Sequence, residues 1–297
     1  MVTDLALAQD EQWARIALVQ RDRWASNPVS DEALVRARLA IATAGRLRPK
    51  ALLFWGVPNA GKTALKEKLL REISRKTFFP GQTRAPVVLV VEAPVEADEA
   101  RFYEAILQSG HQYIPNGNIR TLFRAVTTFL EELRPDVMIL DEASNLNAYV
   151  GIRGTLCLNA IRRLCNVHRM ALLGFGTAAA MTALQGDEQL ENRFEIFELR
   201  PLAPVEFAEF VELLSGAMPL RLATSWTHAM LERGYELTSG YVGRAAYLVQ
   251  EASAQAVLSG AEQITPAILD SPDLSSSLAA LQRARTRAGG RTRKSVR

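Results

Sequence analysis

The chain has 297 residues, 48% of them hydrophobic, with a formal net charge of +3. That is enough apolar material for one large α/β domain and a smaller one. Its longest apolar stretch, Met170 to Gly176, is too short and too glycine-rich to cross a bilayer, and the N-terminus lacks a basic, apolar leader, so a cytoplasmic protein with no membrane contact is expected.

Residues 1–50 read as helices without a catalytic pattern. Asp10 to Trp24 carries Trp13, Ile16, Ala17 and Trp24 on one face, and Ser30 is the expected N-cap of a second helix. From residue 51 apolar runs alternate with helical patterns. Ala51–Trp55, Pro86–Val91, Val137–Leu140, Met170–Phe175 and Glu195–Leu199 predict five buried parallel strands. Between them Ala64–Ser74, Glu99–Gln108, Arg120–Leu133, Leu156–Asn166 and Ala178–Gln185 have helical spacing and should cover both faces of the sheet. Cys157 and Cys165 fall on one of these helices, where they cannot bridge to each other and read as reduced core residues.

After Pro201-Leu-Ala-Pro204 the pattern is helical only, to about Leu269. Ser271–Ser277 reads as a linker, and from Arg283 to Arg297 the chain carries seven basic residues and no acid. The basicity therefore sits in a tail that suits phosphate backbones or simply solvent, while the remainder is net acidic. The expected organisation is an N-terminal helical region over 1–50, an α/β P-loop core over 51–200, a helical lid over 201–270, and linker plus tail over 271–297.

Two motifs carry chemistry. Gly56-Val-Pro-Asn-Ala-Gly-Lys-Thr63 follows the first apolar run and fits G-x-x-x-x-G-K-[ST]. Gly56 and Gly61 let the backbone curl so that N–H groups converge, and the helix that follows adds its positive dipole end, which suits a triphosphate such as ATP. Gly56, Val57, Pro58, Asn59, Ala60, Gly61, Lys62, Thr63 and Ala64 form the expected phosphate-binding set. Lys62 would neutralise the β- and γ-phosphates, and Thr63 would offer its hydroxyl to Mg²⁺. The second motif, Asp136-Val-Met-Ile-Leu-Asp-Glu142, ends a buried strand in two acids. Asp141 would hold the metal through water and Glu142 would polarise the attacking water. The three histidines, His111, His168 and His228, include no pair at metal-ligand spacing, which argues against zinc.

Three further positions refine the picture. Thr177, at the end of the strand expected beside Asp141, is a candidate sensor of the γ-phosphate. Arg193, just before the fifth strand, is a candidate arginine finger for a neighbouring subunit. Arg244, in Gly240-Tyr-Val-Gly-Arg244, could fold over the phosphates as a second sensor.

In this order the features resemble the AAA+ ATPases, and within them the TniB family of transposition ATP-binding proteins, related to TnsC and MuB. The resemblance runs from about Ala51 to Leu214. It rests on the Gly56–Thr63 loop, Val90-Val-Glu-Ala-Pro-Val95 with Arg101–Leu107, Ile139-Leu-Asp-Glu-Ala-Ser-Asn-Leu146, and Leu173-Gly-Phe-Gly-Thr177 with Leu190-Glu-Asn-Arg-Phe-Glu195. Family members usually carry a His where this chain has Ser144 and an aliphatic residue where it has Ala143. The resemblance implies ATP-dependent homo-oligomerisation, as ring or helical filament, on double-stranded DNA. It also implies delivery of the target to a DDE transposase of the TniA/TnsB type, possible contact with a TniQ-like target-selection protein, and disassembly on hydrolysis. It points to the stretch holding Arg101, Arg120 and Arg124 for DNA contact, although solvated helix faces explain those arginines as well. Two other readings stay open: an AAA+ ATPase acting on a protein partner without DNA, and a nucleotide-gated adaptor that does not hydrolyse.

Overall fold

The computed structural model describes residues 2–75, 78–81, 83–95, 98–147, 152–185 and 194–280. Arg193 and the basic tail lie outside the described residues.

Apolar runs too short for helices form the sheet: β1 (Ala51–Trp55), β2 (Val88–Glu92), β3 (Val137–Asp141), β4 (Ala171–Gly176) and β5 (Phe194–Glu198). All pair in parallel, in the order β2-β3-β4-β1-β5. Consecutive residues Leu52, Leu53 and Phe54 are all buried, so the sheet is covered on both faces as expected of a parallel sheet. On one face Phe54 lies in register with Phe175 of β4 and Phe197 of β5, stacked at 5.1 Å on the first and edge-on at 5.9 Å to the second. On the other, Leu53, Leu140 and Leu172 join a cluster with Phe102, Val126 and Ile161. The expectation of five buried strands needs correction at the edges: β5 is only half-buried, and β2 exposes Val90 and Glu92, because an edge strand has a neighbour on one side only.

Two of the helices of this unit start where a side chain satisfies their free amides. The unit's helices are α2 (Pro28–Ile41), α3 (Lys62–Ile73), α4 (Glu99–Ser109), α5 (Ile119–Leu133), α6 (Ile152–Val167) and α7 (Ala178–Gln185). Asp98 caps α4 and Asn118 caps α5, each side chain accepting from backbone N–H groups. Ser30 does not cap α2. The helix begins two residues earlier at Pro28, whose fixed φ and missing N–H suit a first turn, and Ser30 is buried within it.

The remaining elements are helices: α1 (Val2–Val19), α8 (Pro204–Gly216), α9 (His228–Thr238), α10 (Val242–Ser259), α11 (Pro266–Leu269) and α12 over 272–280. α1 stops at Val19, short of Trp24, because the Arg23 guanidinium turns back onto the Leu18 and Val19 carbonyls (2.7 and 3.0 Å). Its packed face is also not the one expected: Trp13 is 61% exposed, whereas Gln12 and Arg15 face α10 and its following loop and Val19 is buried. The 271–277 stretch, read as a linker, enters α12, which buries Leu274 and Leu278, one turn apart.

Contacts divide the chain into two compact units, one of Val29–Val57 and Lys62–Leu199, the other of Met1–Pro28, Pro58–Gly61 and Arg200–Arg297. α1 thus packs with the C-terminal helices. Arg15 donates to Glu262 Oε1 at 2.8 Å and to the Pro219 carbonyl at 3.0 Å, and Gln12 to the Val257 carbonyl at 2.9 Å.

Candidate functional site

The sheet unit brings Lys62, Asp141, Glu142 and Thr177 to the C-terminal ends of adjacent strands, where ligands of open parallel sheets bind. Gly56 N–H donates to the Gly176 carbonyl at 3.2 Å, tying the start of the glycine loop to the end of β4. Lys62 opens α3, and its ammonium donates to the Gly56 and Val57 carbonyls at 2.8 Å each. Thr63 follows in the same first turn with its side chain exposed.

At the end of β3, Asp141 Oδ1 accepts from the Glu142 N–H at 3.0 Å, while Oδ2 is held by the Lys66 ammonium. Glu142 has φ +48°, a left-handed conformation uncommon for a residue with a Cβ. The backbone turns there into a 3-10 helix, Ala143–Asn147, and the Glu142 side chain is exposed. Such local strain tends to collect at functional sites.

That turn delivers Ser144 to Thr177. The Thr177 N–H donates to Ser144 Oγ at 2.7 Å and the two hydroxyls lie 2.9 Å apart. Gly176 permits the approach, since a Cβ there would sit 2.7 Å from the Ala180 Cβ and 3.2 Å from Ser144 Oγ. Asn145 Nδ2 ties the same turn to the Ala93 carbonyl at 2.8 Å.

In the helical unit the loop tip meets α10. Asn59 (φ +64°) and Gly61 (φ +99°) are both left-handed, the curl a phosphate-binding nest requires. A Cβ on Gly243 would lie 2.5 Å from the Asn59 carbonyl oxygen, so only glycine fits at this point of the α10 first turn. Arg244 follows, its guanidinium 5.1 Å from the Tyr241 ring centroid and its buried Nε with no hydrogen-bond partner among the described residues.

The arginines singled out for DNA are exposed. Arg120 and Arg124 lie one turn apart at the start of α5, and Arg101, on α4, has its guanidinium 3.9 Å from Asp98. Burial pushes the thiols of both Cys157 and Cys165 up to about 12, so neither is a thiolate nucleophile near neutral pH.

Sequence reasoning missed Lys66, Ser144 as a partner of Thr177, and the contact of Gly243 with Asn59. Ser144 carried a signal, since it is where the chain departs from the family pattern that the resemblance implies. Lys66 carried a weaker one, four residues after Lys62 and so on the same helix face.

The family profile described as bacterial TniB protein matches residues 15–203. Among curated proteins, none matches the chain significantly. The Orc1 protein of Aeropyrum pernix, solved in complex with DNA, superposes with a TM-score of 0.64 at 18% identity, over 90% of this chain and 69% of that one. The Aeropyrum pernix ORC2 protein, solved as ADPNP and ADP complexes, gives 0.59 at 18%, over 86% and 70%. Drosophila ORC bound to DNA gives 0.58 at 14%, over 94% and 67%. The fold is that of the α/β P-loop AAA+ ATPases. Among the described residues no helix is long and apolar enough to cross a membrane.

Proposed function

Since the chain belongs to the bacterial TniB family, we propose that it is an ATP-hydrolysing regulator of DNA transposition. In this reading it binds ATP with Mg²⁺ in the cytoplasm, assembles as a homo-oligomer on double-stranded DNA, and presents that DNA to a DDE transposase, with a TniQ-like protein as a further partner. The observation that carries the proposal is the convergence of Lys62, Asp141, Glu142 and Thr177 at the C-terminal strand ends of the sheet unit; the left-handed Asn59 and Gly61 separately give the glycine loop the backbone curl of a phosphate nest.

The residues present fit magnesium. The Thr63 hydroxyl and the Asp141 carboxylate are hard oxygen donors at the head of α3 and the end of β3, and no soft or imidazole donor cluster occurs among the described residues. Thr63 and Asp141 would hold the ion, which when bound supplies positive charge to the β- and γ-phosphate oxygens.

This chain's own residues do the rest. Lys62 exchanges its two loop carbonyls for phosphate oxygens. Glu142, raised into solvent by its left-handed backbone, orients the attacking water and accepts its proton. Thr177, fixed by Ser144, reads the γ-phosphate. Arg244, whose buried Nε has no partner among the described residues, is the second sensor, and Arg193 serves as the finger in trans. Arg120 and Arg124, with Arg101 and the basic tail, contact DNA phosphates. The Orc proteins solved with DNA and with nucleotides share the fold and make this combination compatible with it.

Calorimetric titration of ATP into the wild type and Lys62→Ala tests the nucleotide reading. We expect saturable binding in the wild type and loss of at least tenfold in affinity in the variant, because the cationic side chain at the head of α3 is gone. Equal affinities would overturn it.

A further inference from the structure

The acid assigned to the metal already has a cationic partner within the protein. Lys66 lies one turn beyond Lys62 on α3, with Leu65 and Leu69 buried beside it. Its ammonium bonds Asp141 Oδ2, and the only other carboxylate near it among the described residues is Glu67, at 4.0 Å. This is not a loose surface pair. The Lys66 and Asp141 side chains are only 14% and 31% exposed, so water screens their attraction weakly and the long lysine stem is held by packing. The remaining Asp141 oxygen is taken by the Glu142 N–H, so both oxygens of this carboxylate are committed within the protein.

We propose that Lys66 is a built-in counter-ion of Asp141 that must give way for Mg²⁺ to be held, so that Lys66 sets the Mg²⁺ concentration at which nucleotide is retained. The inference rests on the ATP·Mg²⁺ reading above and deepens it. An ammonium and a divalent cation compete for the same carboxylate. If the cation, through its bound water, draws on the Asp141 carboxylate, the ammonium, tethered to α3, would be left close to a like charge, which would lower the net gain from metal binding. The pair also gives the partly buried Asp141 carboxylate a counter-charge when no metal is bound. Lys66 is thus a positioning residue: it acts through Asp141 and is not asked to touch the nucleotide.

The test is a Mg²⁺ titration of the binding of a fluorescent, non-hydrolysable ATP analogue to wild type, Lys66→Met, Lys66→Gln and Lys66→Arg, read by anisotropy. Chelation of Mg²⁺ by free analogue is common to all four and cancels in the comparison. Both neutral variants should reach half-maximal binding at about tenfold lower Mg²⁺ than wild type, and Lys66→Arg should stay near the wild-type midpoint. A second readout needs no nucleotide: without Mg²⁺ the neutral variants should melt below the wild type, because Asp141 loses its partner, and added Mg²⁺ should restore more of their melting temperature than it adds to the wild type. An unchanged or higher Mg²⁺ midpoint in both neutral variants, with wild-type protein binding the analogue normally, would overturn the role of Lys66 alone. Failure of the wild type to bind the analogue at any Mg²⁺ would overturn the nucleotide reading, and this proposal with it.

Discussion

The Ser144 hydroxyl meets Thr177 twice, accepting from its N–H at 2.7 Å and pairing with its hydroxyl at 2.9 Å. This joins the turn after β3 to the end of β4, so the residue two positions after Glu142 also fixes the proposed phosphate sensor. Removing the Ser144 oxygen by Ser144→Ala leaves the Thr177 N–H without its partner and frees its hydroxyl to rotate. We expect a stability loss of about 1 kcal/mol in denaturant titration. ATP turnover should fall more than ATP affinity, since orientation at the γ-phosphate is lost while the loop is not. A variant with wild-type turnover would separate Thr177 from the sensing role.

Gly243 gives a prediction whose sign is set by competing effects. Gly→Ala early in a helix ordinarily gains up to ~1 kcal/mol through backbone entropy. Here the new methyl would sit 2.5 Å from the Asn59 carbonyl oxygen and 3.0 Å from its carbon, both backbone atoms that a rotamer change cannot move. Overpacking of this kind costs about 1–3 kcal/mol, so the clash should win. Gly243→Ala should therefore lower stability and weaken ATP binding together, because the strain falls on the loop tip. A stabilised variant with unchanged affinity would show that the contact is loose.

The Arg15–Glu262 pair should make the helical unit acid-sensitive. Hydrogen bonding from Arg15, aided by the Arg221 N–H and opposed by burial, holds the Glu262 carboxyl at about 2 against its ordinary 4.5. The folded form binds this proton less tightly than the unfolded one. The stabilisation is therefore complete above pH 4.5 and is lost as the pH falls towards 2. Arg15→Ala should cost about 1–3 kcal/mol at pH 7 by urea denaturation, and the gap from wild type should close as the pH falls below 4. A gap independent of pH would mean that Arg15 acts through its bond to the Pro219 carbonyl instead.

The strands were legible in the sequence wherever an apolar run ended in a chemical signature. β1 ends in the glycine loop and β3 in Asp141-Glu142, and in both cases burial and motif point the same way. Local signals failed where a neighbour far along the chain decides. Asp10–Trp24 looked like a helix with Trp13 inward, but the inward face is chosen by Glu262 and Val257, some 245 residues on, which meet Arg15 and Gln12. Ser30 had the right chemistry for a cap, yet Pro28 starts the helix first. Leu274 and Leu278 were masked by the surrounding serines, whose polarity suggested a linker, although their spacing is helical. At the site, single residues could be read from motifs and pairings could not: Lys66 with Asp141 spans 75 positions, and nothing in either local sequence announces the other.

The central claim, that ATP governs assembly on DNA and hydrolysis ends it, is tested most directly by following the anisotropy of a labelled duplex over time with Mg²⁺ and limiting ATP. Wild type and Glu142→Gln are compared, the latter keeping the shape of the site without a base. The account predicts that both raise the anisotropy only when ATP is present, that the wild-type signal decays as ATP is consumed, and that the Glu142→Gln signal persists. Binding that is indifferent to ATP, or a Glu142→Gln signal that decays at the wild-type rate, would contradict it.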